Sequence, residues 1–135
     1  MTAYGVLSRG LLSGKWSASR ENSKGDFRSM SPRFQGENLE RNLALVEALR
    51  TIAEARGSNP AQIAIAWALS RGDDIVPLVG ARRRAQLTDA IVAAGLKLEP
   101  GELAAIEAAV PPEAVAGTRY NEAQMVHLDS ERGAH

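Results

Sequence analysis

Two separated apolar runs are the segments of this sequence that can form β-strands, and this limits the folds open to the chain. Residues 2–8 are mostly apolar, and residues 75–80 are a continuous apolar run between two breakers. A continuous run of this kind is typical of a parallel strand that is buried on both faces, although Pro77 has no N–H to donate and should weaken the pairing there. Two parallel strands make a poor sheet by themselves, because such strands need neighbours at their edges and helices on both faces. The pattern predicts a helix-rich α/β fold that forms part of a larger sheet.

Helical periodicity covers most of the remaining chain. Apolar residues recur every three or four positions over residues 37–56, and Gly57 suits the position just beyond a helix end. A second helix over residues 60–71 is apolar nearly all round, which predicts deep burial, with Trp67 in the core. The start of this helix has the pattern of an N-cap, a first-turn proline and a capping-box partner, namely Asn59, Pro60 and Gln62. Two further helices are expected over residues 85–94 and 100–110.

Two segments show no regular period. Residues 17–36 indicate a long loop of the kind that forms a lid or a binding loop, and a disordered surface loop is the alternative. Trp16, just before it, either lines a pocket or covers the edge of the core. Residues 121–135 are expected to form a mobile tail.

Composition excludes several classes of function. The 135 residues suit one domain, and the 16 basic residues balance the 16 acidic ones, so we expect no nucleic-acid or membrane partner. The absence of cysteine excludes a disulfide, a thiolate metal site and a cysteine nucleophile. It fits a reducing compartment, and we expect a cytoplasmic protein without a signal peptide or a membrane helix.

Five short segments resemble the aldo-keto reductases in their order and spacing. They are residues 3–15 (AYGVLSRGLLSGK), 32–34 (PRF), 60–67 (PAQIAIAW), 76–82 (VPLVGAR) and 117–120 (GTRY). The resemblance implies a (β/α)8 TIM barrel that reduces aldehydes and ketones with NADPH and without a metal. A complete barrel takes ~250 residues. The resemblance therefore implies that residues 1–135 are a partial domain, about strands seven and eight with their helices and the C-terminal tail, beginning inside the seventh strand.

The family's catalytic Asp, Tyr, Lys and His lie on earlier strands, and no residue of this sequence matches them. Carbonyl reduction needs a hydride donor and an acid that protonates the developing alkoxide. We therefore assign no catalytic residue and no metal ligand, His127 being isolated in the tail. We expect weak or no NADPH binding and no turnover from this chain alone, with a carbonyl substrate only if the missing half completes the site. The alternative interpretation is a non-catalytic remnant, a nucleotide-binding or assembly module that self-associates through exposed strand edges.

The resemblance assigns the residues after the first strand to the nicotinamide and pyrophosphate end of NADP(H). Tyr4 matches the aromatic residue that stacks on the nicotinamide ring. The next residues match the loop around the pyrophosphate, where glycine lets backbone N–H groups approach phosphates: Gly5, Leu7, Ser8, Arg9 and Gly10. The family more often has Ser-Pro where Gly5-Val6 stand, which removes one side-chain hydrogen bond. The structural alternatives are a tyrosine packed at a strand end and an ordinary glycine-rich turn.

The residues after the second strand match the adenosine end of the cofactor site. The segment that meets the 2′-phosphate is matched by Gly80, Ala81 and Arg82, and an arginine fork suits a phosphate. Further positions match at Gln86, Asp89 and Ala90. The last two stand where the family has Glu-Asn against adenine, and an alanine cannot form the hydrogen bond of the asparagine. Arg83 and Arg84 are expected to face solvent, and a solvated helix start is the alternative interpretation of the whole stretch.

Overall fold

The computed structural model describes residues 1–16 and 25–128. Its strands are β1 (Thr2–Ala3) and β2 (Val76–Pro77), and its helices are α1 (Gly36–Ala55), α2 (Pro60–Leu69), α3 (Arg84–Gly95), α4 (Pro100–Ala109) and the short α5 (Glu122–Met125). Short 3-10 helices occupy Ser8–Ser13, Phe27–Met30, Pro32–Phe34 and Pro112–Ala114. The result is the expected helix-rich α/β arrangement.

The two strands form a parallel pair in which Thr2 lies opposite Val76 and Ala3 lies opposite Pro77. The Val76 N–H donates to the Met1 carbonyl and the Leu78 N–H donates to the Ala3 carbonyl, both at 2.8 Å. The expected weakening at Pro77 is absent. Alternate residues of a strand direct their N–H groups to opposite sides, so the proline nitrogen faces away from β1, where it removes no bond of this pair.

The prediction that the second strand is buried on both faces is wrong for this chain. Val76 is 59% exposed and Leu78 is 52% exposed, whereas Pro77 between them is half-buried. Successive side chains of a strand point to opposite faces. Helix α2 packs against β2, and no other helix of the described residues covers the side that carries Val76 and Leu78, which therefore meets solvent.

Helix α1 ends just before Gly57 and helix α2 begins after the Asn59 cap, as the sequence indicated, but α2 ends at Leu69 rather than at the expected residue 71. Gly57 has a φ of +71°, and the Ser58 N–H donates to the Ala53 carbonyl at 2.8 Å, a pattern that ends a helix at a left-handed glycine. At the start of α2, the Asn59 side chain accepts from the Gln62 N–H at 2.9 Å, and the Gln62 side chain accepts from the Asn59 N–H at 3.1 Å. These bonds satisfy N–H groups that a helix start leaves without partners.

Helix α1 connects two core clusters. Its first half packs Val46 against Leu11, Trp16 and Phe34, and its second half packs Leu49 and Ala53 against Ile63 and Ile106. Trp16 meets Phe34 edge to face, with ring centroids 5.0 Å apart, so it covers the core rather than lining an open pocket. Trp67, expected in the core, is only half-buried at the margin of the second cluster.

The segment expected as a loop over residues 17–36 is more regular than predicted. Its first part, residues 17–24, lies outside the described residues, as do residues 129–135 of the expected tail. From Asp26 onward the chain forms two 3-10 helices, because the Asp26 side chain accepts from the Arg28 N–H and Phe34 is buried against the core. In the part of the tail that the structure describes, α5 is a single turn.

Within the described ranges, no helix combines the length and the apolar character that crossing a bilayer requires. The same ranges contain no group of three His, Asp or Glu side chains that could hold a metal ion.

Candidate functional site

Parallel pairing brings the two predicted halves of the site to one edge of the sheet. The chain leaves β1 at Tyr4 and leaves β2 at Leu78, and the residues assigned to the nicotinamide end and to the adenosine end follow these two exits. The carboxyl ends of parallel strands are the usual place for ligand sites in α/β proteins. The fold therefore places the two segments beside each other although they are far apart in the sequence.

The loop after β1 turns sharply through left-handed conformations. Gly5 and Gly10 have φ values of +74° and +93°, and Ser8 and Arg9 also have positive φ, at +46° and +57°. The Ser8 N–H donates to the Gly5 carbonyl at 2.8 Å, and the Gly10 N–H donates to the Leu7 carbonyl at 2.9 Å. Left-handed conformations are costly for residues with a Cβ, and Arg9 is held in place by contacts with Phe27, Arg28 and Tyr120 outside the loop.

This loop forms one wall of a cleft of about 250 Å³. Of the residues predicted to bind the cofactor, Tyr4, Gly5, Ser8 and Arg9 line it, whereas Leu7 and Gly10 belong to the loop but not to the lining. The second wall comes from two segments, the expected lid or binding loop, with Ser31, Arg33 and Phe34, and the GTRY motif, with Arg119 and Tyr120. The cleft thus carries three arginines and no acidic lining residue, and its electrostatics favour an anionic ligand.

The Arg9 side chain is held between two aromatic rings. Its guanidinium carbon lies 5.0 Å from the ring centroid of Phe27 and 4.6 Å from that of Tyr120. Both distances are within the range of a cation–π interaction. Arg28 lies close by, but it is engaged with Asp26, to which its Nε and Nη2 donate at 2.9 and 2.6 Å. Arg9 is therefore held by aromatic contacts and Arg28 by a carboxylate.

Asn42 and Gly117 hold the C-terminal segment, residues 116–120, against the rest of the second wall. Asn42 is 2% exposed, and its amide donates to the carbonyls of Ala116 and Arg33 and accepts from the Ala116 N–H, at 2.8 to 3.1 Å. Gly117 has a φ of +81°, and a Cβ there would lie 2.8 Å from the Pro32 carbonyl carbon. The position of Tyr120 over the cleft depends on these contacts from distant parts of the chain.

Ser31 is a lining residue whose hydroxyl is shielded from the cleft. The residue is 3% exposed, and its Oγ has no hydrogen-bond partner in the part of the chain that the structure describes. Buried polar groups are nearly always hydrogen-bonded. A ligand oxygen in the cleft does not reach this buried atom, so Ser31 receives no binding role.

The adenosine-side residues lie at the exposed start of α3. Gly80, Ala81 and Arg82 are all exposed, as are Arg83 and Arg84, and the Gln86 side chain accepts from the Arg82 and Arg83 N–H groups at 2.8 and 3.0 Å. The Asp89 carboxylate accepts from the Gln62 side chain at 3.1 Å and so joins α3 to α2, and Ala90 is half-buried beside it. Gln86 and Asp89 thus have structural roles that the sequence did not reveal, and Arg82 presents its side chain to solvent.

Part of the second wall falls where the sequence predicts a lid or a binding loop, because Ser31, Arg33 and Phe34 lie within residues 17–36. The motif over residues 117–120 is the available signal for Arg119 and Tyr120, and no motif points to Asn42.

The sequence matches a known protein family and several of its members. Residues 1–111 match the model of the aldo/keto reductase family. The chain is 37% identical over 120 residues to the aldo-keto reductase yakc [NADP(+)] of Schizosaccharomyces pombe, covering 89% of this chain and 35% of that protein. It is also 37% identical over 117 residues to the probable aldo-keto reductase 1 of Glycine max, covering 87% of this chain and 34% of that protein.

A solved structure shows the same fold. The glycerol dehydrogenase of Gluconobacter oxydans superposes with a TM-score of 0.76 at 32% identity, covering 87% of this chain and 36% of that chain. The chain therefore spans about a third of the length of these relatives. From the family match over most of its length, together with these relatives, the chain belongs to the aldo/keto reductase family.

Proposed function

We propose that this chain carries part of the NADP(H) site of an aldo-keto reductase that reduces an aldehyde or ketone to an alcohol. In this proposal β1 and β2 take the places of the seventh and eighth barrel strands. The observation that carries it is the cleft at the end of β1, where Tyr4, Ser8 and Arg9 come together without an acidic lining residue. The name of the Schizosaccharomyces pombe relative, which includes NADP(+), supports the choice of cofactor.

The residues present fit the anionic parts of such a cofactor. The cleft offers guanidinium groups and the hydroxyl of Ser8, which can donate to phosphate oxygens. Tyr4 is 76% exposed, so its ring face is open to stacking. At the other exit, Arg82 lies two residues before α3 with its side chain exposed, and the positive end of the helix dipole favours an anion there.

These residues account for binding and orientation, not for the complete reaction. When bound, NADPH supplies a hydride to the carbonyl carbon. This chain would hold the nicotinamide through Tyr4 and the phosphates through Arg9 and Arg82. The proton donor for the alkoxide matches no residue of this sequence, so we expect no carbonyl reduction by the purified chain. Measurable turnover that depends on this chain would contradict that expectation.

Nuclear magnetic resonance titration tests the cofactor site, because it detects weak binding residue by residue. NADPH should shift the amide resonances of residues 4–10 and 80–84 in the full chain. NADH lacks the 2′-phosphate, so the dissociation constant measured from residues 80–84 should be about tenfold higher for NADH than for NADPH. The reason is that a hydrogen bond to a charged group contributes about 1.5 kcal/mol or more. Arg82→Met should abolish this preference, whereas Arg83→Met, an equally exposed neighbour, should retain it.

Two outcomes of the titration would contradict the proposal. Absence of any NADPH effect on residues 4–10 would overturn the cofactor site. Equal loss of the NADPH preference in both arginine variants would overturn the specific role of Arg82.

A second candidate function is an assembly module without catalysis. The exposed face of β2, with Val76 and Leu78 open to solvent, favours it. This candidate predicts that the chain self-associates whether or not nucleotide is present.

A further inference from the structure

Arg9 is held in the cleft by contacts with residues from other segments of the chain. Its backbone has a φ of +57°, which an arginine does not favour, and its carbonyl lies 3.4 Å from the Arg28 Nη1 donor. Its guanidinium carbon lies within cation–π distance of both Phe27 and Tyr120. A flexible side chain held by two rings loses less conformational entropy on meeting a ligand, so these contacts prepare Arg9 for an anion.

Tyr120 is itself held in a defined place. The Thr118 hydroxyl donates to the Tyr120 carbonyl at 2.7 Å. The preceding residues are fixed by Asn42 and by the close approach of Gly117 to Pro32. The ring over Arg9 is therefore supported by contacts with the Pro32 turn and with α1.

The cleft around Arg9 favours an anion. It also carries Arg33 and Arg119, and its lining includes no acidic residue.

We propose that Tyr120 is a positioning residue for phosphate binding: its ring, together with that of Phe27, holds Arg9 at the cleft wall, where Arg9 meets a phosphate group. This inference rests on the proposed function, since the phosphate is that of the nucleotide. It gives the C-terminal segment a role in ligand affinity.

The test is a double-mutant cycle between Tyr120 and Arg9 in the full chain. Dissociation constants for NADPH and for inorganic pyrophosphate are measured by NMR titration of wild type, Tyr120→Phe, Tyr120→Leu, Arg9→Met and the Tyr120→Leu/Arg9→Met double variant. Tyr120→Phe keeps the ring and should bind like wild type. Tyr120→Leu should weaken both ligands about two- to fivefold, which corresponds to the loss of one cation–π contact. In the Arg9→Met background Tyr120→Leu should have no further effect, which a general loss of structure would not produce.

The outcomes distinguish this inference from the proposed function. If NADPH binds but Tyr120→Leu has no effect, or if the Tyr120→Leu effect persists without Arg9, the inference is wrong and the proposed function stands. If pyrophosphate binds with the expected pattern and NADPH does not bind, the inference stands and the proposed function fails. If neither ligand binds wild type, both fail.

Discussion

Gly117 determines how closely the C-terminal segment approaches the Pro32 turn. It has a left-handed φ of +81°, and the added Cβ of any other residue would lie 2.8 Å from the Pro32 carbonyl carbon. Gly57 also has a positive φ, +71°, but nothing lies within 4 Å of the corresponding Cβ position. Replacing Gly57 by alanine therefore adds backbone strain alone, whereas replacing Gly117 by alanine adds backbone strain and a steric clash.

We expect Gly117→Ala to destabilise the chain more than Gly57→Ala. Gly57→Ala should lower the free energy of unfolding by about 1–2 kcal/mol, the cost of a left-handed alanine. Gly117→Ala has that cost and must also move the segment away from Pro32, so the loss should be about twice as large. Urea unfolding followed by tryptophan fluorescence measures both. Equal losses of unfolding free energy in the two variants would show that the close approach of Gly117 to Pro32 adds nothing to the cost of the substitution.

At the scale of the elements, α1 and α4 are joined by a charged contact near their ends. The Arg56 guanidinium, just after α1, donates to the Glu102 carboxylate in the first turn of α4, and the same carboxylate accepts from the Glu99 N–H at 2.7 Å. The backbone N–H of Glu99 and then the Arg56 guanidinium hold the pKa of Glu102 below its ordinary value of 4.5. The contact links the second core cluster to the start of α4.

This lowered pKa predicts a pH-dependent contribution to stability. Because the pKa of Glu102 is lower in the folded chain than in the unfolded chain, its carboxylate stabilises the fold above about pH 4.5, and this contribution is lost as the pH falls through the folded pKa. Glu102→Gln should therefore have a lower urea midpoint than wild type at pH 7, and the difference should shrink at pH 3. The exposed Glu54→Gln on α1 is the control. A difference for Glu102→Gln that is the same at both pH values would contradict the prediction.

At the scale of the whole molecule, the sheet has one covered face and one open face. Strand register and alternation place Thr2, Tyr4, Val76 and Leu78 on the same side, and all four are exposed. A hollow of about 320 Å³ adjoins β1, and Leu49, Trp67 and Ile106 are among the residues that line it. An open apolar sheet with unpaired strand edges favours association with other chains.

We therefore expect the purified chain to self-associate. Sedimentation velocity should show a mean mass that rises with protein concentration, and Leu78→Glu on the open face should reduce this rise. Leu87→Glu places the same change at a residue of α3 that is 53% exposed, and it should leave the association unchanged. A monomer with a sharp thermal transition at every concentration would rule out the association.

The candidate site was predictable only in part. Tyr4, Gly5, Ser8 and Arg9 were assigned from motifs and line the cleft. Arg82 was assigned in the same way, and its binding role stays a prediction. The sequence predicts a lid or binding loop for the segment with Arg33 and Phe34, but it gives no role to Tyr120, because Tyr120 reaches Arg9 through folding rather than through sequence proximity, and no local pattern records such a contact.

The sequence by itself determined the features that depend on near neighbours. The Asn59–Gln62 capping box and the end of α1 just before Gly57 follow from interactions within a few residues, so their patterns were sufficient. Tertiary structure alone decided which face of β2 is covered, the 3-10 turns between Asp26 and Phe34, and the meeting of Arg9 with Tyr120. These outcomes depend on packing between distant segments, and the free energy of a contact of that kind exists only once both segments are in place.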